Sequence, residues 1–375
     1  MTGLPRDLHP IAWWIWALGL STAASFTTNP LLLALIIASA CLVVAARRSN
    51  HPWARAFKLY LVLAVVIVVL RVVFRIIFGG VETGTVLVNL PEIPLPDWAA
   101  GIRLLGPVTV EGLAAGFYDG LRLATIVICV GAANCLANPK RTLACVPPAL
   151  YEVGTALVVA VSIFPQLVDS ARRVRRAQAL RGGPSGRVRG LRRFVVPVLE
   201  DSLERSLALA ASMDTRGYGR SGGASRGQRW LTGSFLVAAL LGLCLVTYAV
   251  LDPTAAVWPA GPTLAVSLLL VALGMVLAGR RVQRTRYRPD PFAGPELLTV
   301  AIGLAVAALT HRLSTTQVLV AYPPLDAWPY LSTLALAAGA LGALPAFLTP
   351  VPRVSGSRNP RSAPTSTRTE VEAAA

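Results

Sequence analysis

The sequence predicts an all-α, polytopic membrane helix bundle of about eight spans, with amphipathic helices on its cytoplasmic face. Three observations lead there. Of 375 residues, 54% are hydrophobic and only 14% are charged, whereas soluble domains carry about a quarter charged residues. Mean hydropathy is +0.61. The charges that remain are clustered in short blocks between apolar runs, the pattern of a chain that lies mostly in lipid. The formal net charge is +17. Nucleic-acid binding and the positive-inside bias of membrane proteins both produce such basicity. Here the basic blocks flank apolar runs, which favours the second.

A span needs ~20 largely apolar residues. Candidates fall at roughly 11–28, 30–46, 59–78, 112–136, 231–251, 262–279, 293–311 and 329–348. The first run follows Arg6 and is succeeded directly by a second, so it reads as a span and not a cleaved signal. The link Thr27-Thr28-Asn29-Pro30 is uncharged, while Arg47, Arg48, Arg55 and Lys58 separate the second and third runs. That places both the N-terminus and the 47–58 loop in the cytoplasm. The 79–111 loop holds Glu82, Glu92, Asp97 and Glu111 against Arg103 alone and is expected outside. A ninth apolar run, roughly 143–166, conflicts with this order. If it crossed, the fourteen arginines from Arg172 to Arg229 would lie outside. It also contains Pro147, Pro148 and Glu152 and ends at Pro165. It is therefore expected along or partway into the cytoplasmic leaflet.

Later runs then alternate, with Arg280 to Arg288 inside and a basic, Ser/Thr/Pro-rich tail that is expected to be disordered and cytoplasmic. Four regions follow: 1–141, N-terminal and transmembrane; 142–229, membrane-associated and cytoplasmic; 230–350, C-terminal and transmembrane; and 351–375, a disordered basic tail.

In the central region a helix is expected over 166–181, with Leu167, Ala171, Val174 and Ala177 at helical spacing, stopped by Gly182-Gly183-Pro184. The stretch to Gly190 reads as flexible. A second helix is expected from about Pro197, with a stripe of Leu199, Leu203, Leu207, Ala210 and Met213, and with Glu200, Asp201 and Glu204 suiting its N-terminal dipole. It ends at Gly217 and Gly219. Both helices thus finish on an arginine directly before a glycine: Ala177-Gln178-Ala179-Leu180-Arg181-Gly182 and Met213-Asp214-Thr215-Arg216-Gly217-Tyr218-Gly219. Such an arginine projects past the helix end and can fork onto a partner's carboxylate. It can equally serve as an ordinary C-terminal cap or touch lipid head groups.

With these residues in view, the chain resembles the transmembrane T component of energy-coupling factor importers, the family that includes the cobalt-transport T subunit. The family's mark is a pair of short motifs, Ala-Arg-Gly or similar, at the ends of coupling helices. Here Leu180-Arg181-Gly182 and Thr215-Arg216-Gly217 match it, with Leu180 and Thr215 standing where the simple motif has alanine. Leu8-His9-Pro10, Ile163-Phe164-Pro165 and Arg286-Tyr287-Arg288-Pro289-Asp290 add to the likeness, which covers roughly 8–310. The final spans exceed the smallest members, and their role is open. The resemblance implies a coupling and scaffold subunit in a bacterial cell membrane, binding two cytoplasmic ATPase subunits and one or more membrane S components. The S components carry the vitamin or transition-metal ion. It implies ATPase-coupling roles for Arg181, Gly182, Arg216 and Gly217, supported by Ala177, Ala179, Met213 and Asp214, and no cofactor, metal or catalytic residue in the chain itself.

Other features weigh less. The five cysteines lack Cys-x-x-Cys spacing and read as small apolar residues. No phosphate loop of the form G-x-x-x-x-G-K-[ST] occurs. Arg71, Arg75 and Arg122 lie in or near apolar runs, where they face protein or snorkel to the interface. Two other functions compete: an enzyme on a phosphate-bearing lipid using Arg122 or the central arginines, and a secondary transporter, which should show repeated halves with interrupted helices.

Overall fold

A computed structural model describes residues 8–48, 56–78, 84–91, 105–145, 148–180, 187–217, 226–252, 259–279 and 292–350. The described chain is helical apart from one two-stranded ribbon. It divides into two units: residues up to Pro139 together with those from Asp290 onward, and Lys140–Pro289 between them. Among the described residues, seven helices are long and apolar enough to cross a membrane.

The first unit holds α1 (Pro10–Ser25), α2 (Pro30–Arg47), α3 (Phe57–Ile77) and α4 (Val110–Leu136), and the short α5 (Pro139–Ala144) runs from its last residue into the second unit. After the second unit come α10 (Gly294–Thr316), α11 (Val318–Ala321), α12 (Thr333–Leu341) and α13 (Pro345–Leu348). Local chemistry sets the starts. Asn29 caps α2 by accepting from the Leu31 and Leu32 amides, with Pro30 in the first turn. Thr109 caps α4 through the Gly112 amide at 3.1 Å. The Glu296 carboxylate reaches back to the Ala293 amide at the head of α10.

Helix α1 packs against α4 and α10. His9 meets Phe292 at one end, with ring centroids 5.4 Å apart, and Phe26 meets His311 at the other, 4.9 Å apart. The two helices are therefore parallel. Between those ends Gly19 and Gly303 let the backbones touch. A Cβ on Gly303 would lie 2.6 Å from the Trp16 Cα. Trp16, Leu20, Leu32, Leu33, Ile36, Val306 and Leu313 are wholly buried here. The late helices, which sequence left without a role, thus complete the core of the early ones.

The direction of α4 follows from Arg122, in its first half, which donates to the Ser25 carbonyl at the finish of α1. Its far end meets the start of α3, where Asn134 donates to the Tyr60 hydroxyl at 3.1 Å. So α4 finishes at the His9 end, where α10 begins. The chain leaves the first unit and re-enters it at one and the same end.

Several expectations change. The run 329–348 is not one helix. It breaks over 342–344 between α12 and α13, because Gly342 and Pro345 interrupt the backbone ladder. The freed carbonyls find donors: Trp16 Nε1 to Gly342 at 3.2 Å, Ser39 Oγ to Gly339 at 2.8 Å and Arg47 to Ala346 at 2.6 Å. The expected loop 79–111 contains an antiparallel ribbon of β1 (Val86–Asn89) and β2 (Pro107–Thr109). The tail from 351, the Arg280–Arg288 block and residues 49–55 of the 47–58 loop lie outside the described residues.

The second unit holds a 3₁₀ turn at Pro148–Leu150, then α6 (Tyr151–Leu180), α7 (Arg187–Thr215), α8 (Arg226–Leu251) and α9 (Ala260–Gly279). Helices α8 and α9 form an antiparallel hairpin, in which Gly242 faces Ser267 and Gly274 faces Leu236. Helix α6 corrects the expected break near 166. Apolar and basic halves form one helix, with Pro165 inside it. Likewise α7 starts at Arg187, ahead of Pro197, so residues 187–190 are helical and not a flexible stretch. In each case a proline removes one backbone hydrogen bond, yet helix-forming residues on both sides carry the helix through it.

Two outcomes test this arrangement. Gly303→Ala should lower the thermal stability of the detergent-solubilised protein by about 1–3 kcal/mol through overpacking against Trp16. Gly233→Ala, in α8 with open space around it, should stabilise by about 0.5–1 kcal/mol through helix propensity. In sealed vesicles, single cysteines placed at Pro139 and Phe292 should react with an impermeant maleimide from one side, and those at Leu87 and Trp328 from the other.

Candidate functional site

The basic central segment has two halves of different character. Along α6 the first half is apolar and the second carries Arg172, Arg173, Arg175 and Arg176, all exposed. Along α7 the residues that turn inward are not the expected leucine stripe. Leu199, Leu203 and Leu207 are 59%, 62% and 63% exposed. The inward line, at helical spacing, is Val198, Asp201, Ser202, Arg205 and Leu209. Apolar stripes therefore do not hold α6 to α7, contrary to expectation.

A polar contact does. Asp201 of α7 receives Arg173 of α6 at 3.3 Å and Arg205, one turn along its own helix, at 3.0 Å. The Ser170 hydroxyl of α6 lies beside this carboxylate. Ser170 and Val198 are buried, at 4% and 8% exposure. The neighbouring Ser170 hydroxyl, followed by the Arg205 guanidinium, holds the Asp201 carboxyl below its usual range. Sequence reasoning assigned Asp201 to a helix dipole. Because α7 begins ten residues before Pro197, the acid sits mid-helix, and the dipole does not explain it. The available signal was the i, i+4 spacing of Asp201 and Arg205.

The crossing fixes where the two motif ends lie. At 1.5 Å per residue, Leu180 lies about 10 Å beyond Arg173, and Thr215 about 21 Å beyond Asp201. The short α6–α7 connection is too short to allow a parallel pair, so the helices are antiparallel. Their C-terminal ends point away from each other, about 30 Å apart along the hairpin.

The end of α7 is fully described. The Arg216 amide bonds to the Met213 carbonyl at 3.2 Å and the Gly217 amide to the Asp214 carbonyl at 2.9 Å. Gly217 has φ +75°, a left-handed turn that favours glycine. A Cβ there would meet nothing within 4 Å, so the glycine answers to backbone conformation and not to crowding. Arg216 and Asp214 are exposed and Met213 is half-buried. Among the described residues Arg216 makes no ion pair. At the other end Ala177 and Ala179 are exposed and Leu180 is 89% exposed. Arg181 and Gly182 lie outside the described residues. The structure gathers Met213, Asp214, Arg216 and Gly217 at one end and places Ala177 and Ala179 toward the opposite one.

Some residues that the competing functions would use are engaged elsewhere. Arg122, which a lipid-phosphate enzyme would use, is committed to the Ser25 carbonyl. The break between α12 and α13 resembles the interrupted helices of carriers, but three of its carbonyls are taken by Trp16, Ser39 and Arg47. Arg71 and Arg75 run along α4, where Gly116 and Gly120 make room for their stems.

Comparison with known proteins agrees with the family resemblance. The chain is 26% identical over 132 residues to the energy-coupling factor transporter transmembrane protein EcfT of Leuconostoc gelidum subsp. gasicomitatum, a match covering 30% of this chain and 49% of that protein. It is 31% identical over 106 residues to the protein of the same name from Streptococcus thermophilus, covering 25% and 40%. The chain thus spans about half the length, or less, of these curated relatives. The family model for CbiQ, cobalt transport protein, matches residues 3–226, from the first span through both arginine-tipped helices, and the chain belongs to that family.

Proposed function

We propose that this chain is the membrane coupling subunit of an ATP-driven, energy-coupling-factor type importer of vitamins or transition-metal ions. It links two cytoplasmic ATPase subunits to an S component that binds the substrate, and it lies in a bacterial inner membrane with both ends inside. One observation carries the reading. Arg216 stands exposed beyond a helix end that Gly217 terminates, with its own backbone satisfied and no ion-pair partner among the described residues. A guanidinium so placed is ready to enter a groove and fork onto carboxylates. Arg181, in the matching position after α6, is assigned the same role on the second ATPase.

Topology supports the assignment. Arg47, Arg48 and the start of α10 share the His9 end of the first unit, which the charge rule makes cytoplasmic. Because the chain leaves and re-enters at that end, the stretch between makes an even number of crossings. Helices α8 and α9 account for two, and α7, with its arginines and acids, for none. Helix α6, though long enough to span, then stays on the cytoplasmic side. Its apolar half and the exposed Leu199, Leu203 and Leu207 of α7 offer surface to the lipid and to the S component.

The test is co-purification of the ATPase pair from solubilised membranes. Arg181→Glu with Arg216→Glu should abolish the complex, and each single change should weaken it by about 2–5 kcal/mol, as expected when one side of a desolvated charge pair is lost. Assembly of the double variant at wild-type level refutes the role of these arginines.

A further inference from the structure

We infer that Asp201 is a positioning residue, the pin that fixes where and at what angle α6 crosses α7. Its functional meaning rests on the coupling role proposed above; its geometry does not. The hairpin has little else to hold it. Ser170 and Val198 are the non-glycine residues of α6 and α7 that are buried among those described. Leu199, Leu203 and Leu207 of α7 look outward. Asp201 receives Arg173 from α6 and Arg205 from α7, with the Ser170 hydroxyl of α6 beside it, so one carboxylate ties the two helices. The neighbouring ion pair Asp169–Arg172, at 3.8 Å, stays within α6 and ties nothing together. Asp201 lies between the two arginine-bearing ends, each of which is a free arm extending from it. A displacement imposed at one end reaches the other through this point.

A polar pin differs from an apolar seam in how it gives way. Ridges of leucine can slide and repack, whereas a charge-assisted set of hydrogen bonds to one carboxylate fixes a single register. Loss of the charge should therefore leave two intact helices with a poorly defined crossing.

The measurement is made on the full chain in lipid nanodiscs, with its native cysteines replaced and nitroxide labels at Phe164→Cys on α6 and Ala208→Cys on α7, both exposed and on the same side of the crossing. Pulsed electron double resonance reads the distance distribution. Asp201→Asn, which keeps the shape and removes the charge, should widen that distribution about twofold, and Arg173→Ala should do the same. Asp201→Glu should return it toward wild type, and Asp169→Ala should leave it unchanged. A wild-type distribution for Asp201→Asn overturns the inference. So does equal widening by Asp169→Ala, or widening that Asp201→Glu fails to reverse, since either assigns the effect to general loosening. The readout needs no ATPase. Failure of the coupling proposal and failure of the pin are therefore seen in separate experiments.

Discussion

Inside a bilayer a backbone amide or carbonyl has no water to turn to, so any departure from regular helix must bring its own partners. The first unit is arranged around that constraint. Where the chain turns between α1 and α2, the Asn29 amide donates to the carbonyls of Val320 and Tyr330, at 2.8 and 2.9 Å, while Thr27 donates to Ala321 at 2.7 Å. Where the last span breaks, Trp16, Ser39 and Arg47 supply donors from α1 and α2. Each irregular stretch near the C-terminus is answered by a side chain from the first fifty residues. The early helices and the late ones are one structure for this reason, beyond the apolar contact between them.

The second unit follows a different economy of contact. Helix α3 in the first unit and α6 to α9 in the second bury little of their apolar surface. In α6 and α7 the specific contact is a carboxylate paired with one arginine on each helix. Dense packing holds the first unit in one arrangement. A few fixed points and exposed remaining surface leave α6 and α7 less tightly held. The buried Trp16–Gly303 contact and the Asp201 contact mark that difference.

Much of this was legible in the sequence, and the reasons are physical. Helices α2, α3, α4, α8 and α9 declare themselves because a largely apolar stretch of about twenty residues has few other fates. The arginine blocks give the expected orientation, and 143–166 stands out against it. Arg216-Gly217 was readable because a left-handed turn after a helix asks for glycine. The failures are equally specific. Pro165 and Pro197 suggested boundaries that the helices run through, since one lost hydrogen bond is tolerable within thirty residues. The broken last span could not be foreseen, because its viability depends on donors some three hundred residues away. Asp201 was misassigned because its partner, Arg173, lies on another helix, and sequence spacing reports only neighbours on the same one.

The parallel seating of α10 on α1 has a consequence for synthesis. Gly19 emerges from the ribosome long before Gly303, and α1 to α4 are complete while α10 is still about 160 residues from translation. At about 5–20 residues per second that interval is roughly 10–30 s. Throughout it, the groove around Trp16 and Gly19 has no occupant from this chain, and the nascent bundle must tolerate lipid or an insertion factor there. The arginine-rich helices are made during the same wait. The membrane scaffold closes only after the parts it will carry already exist.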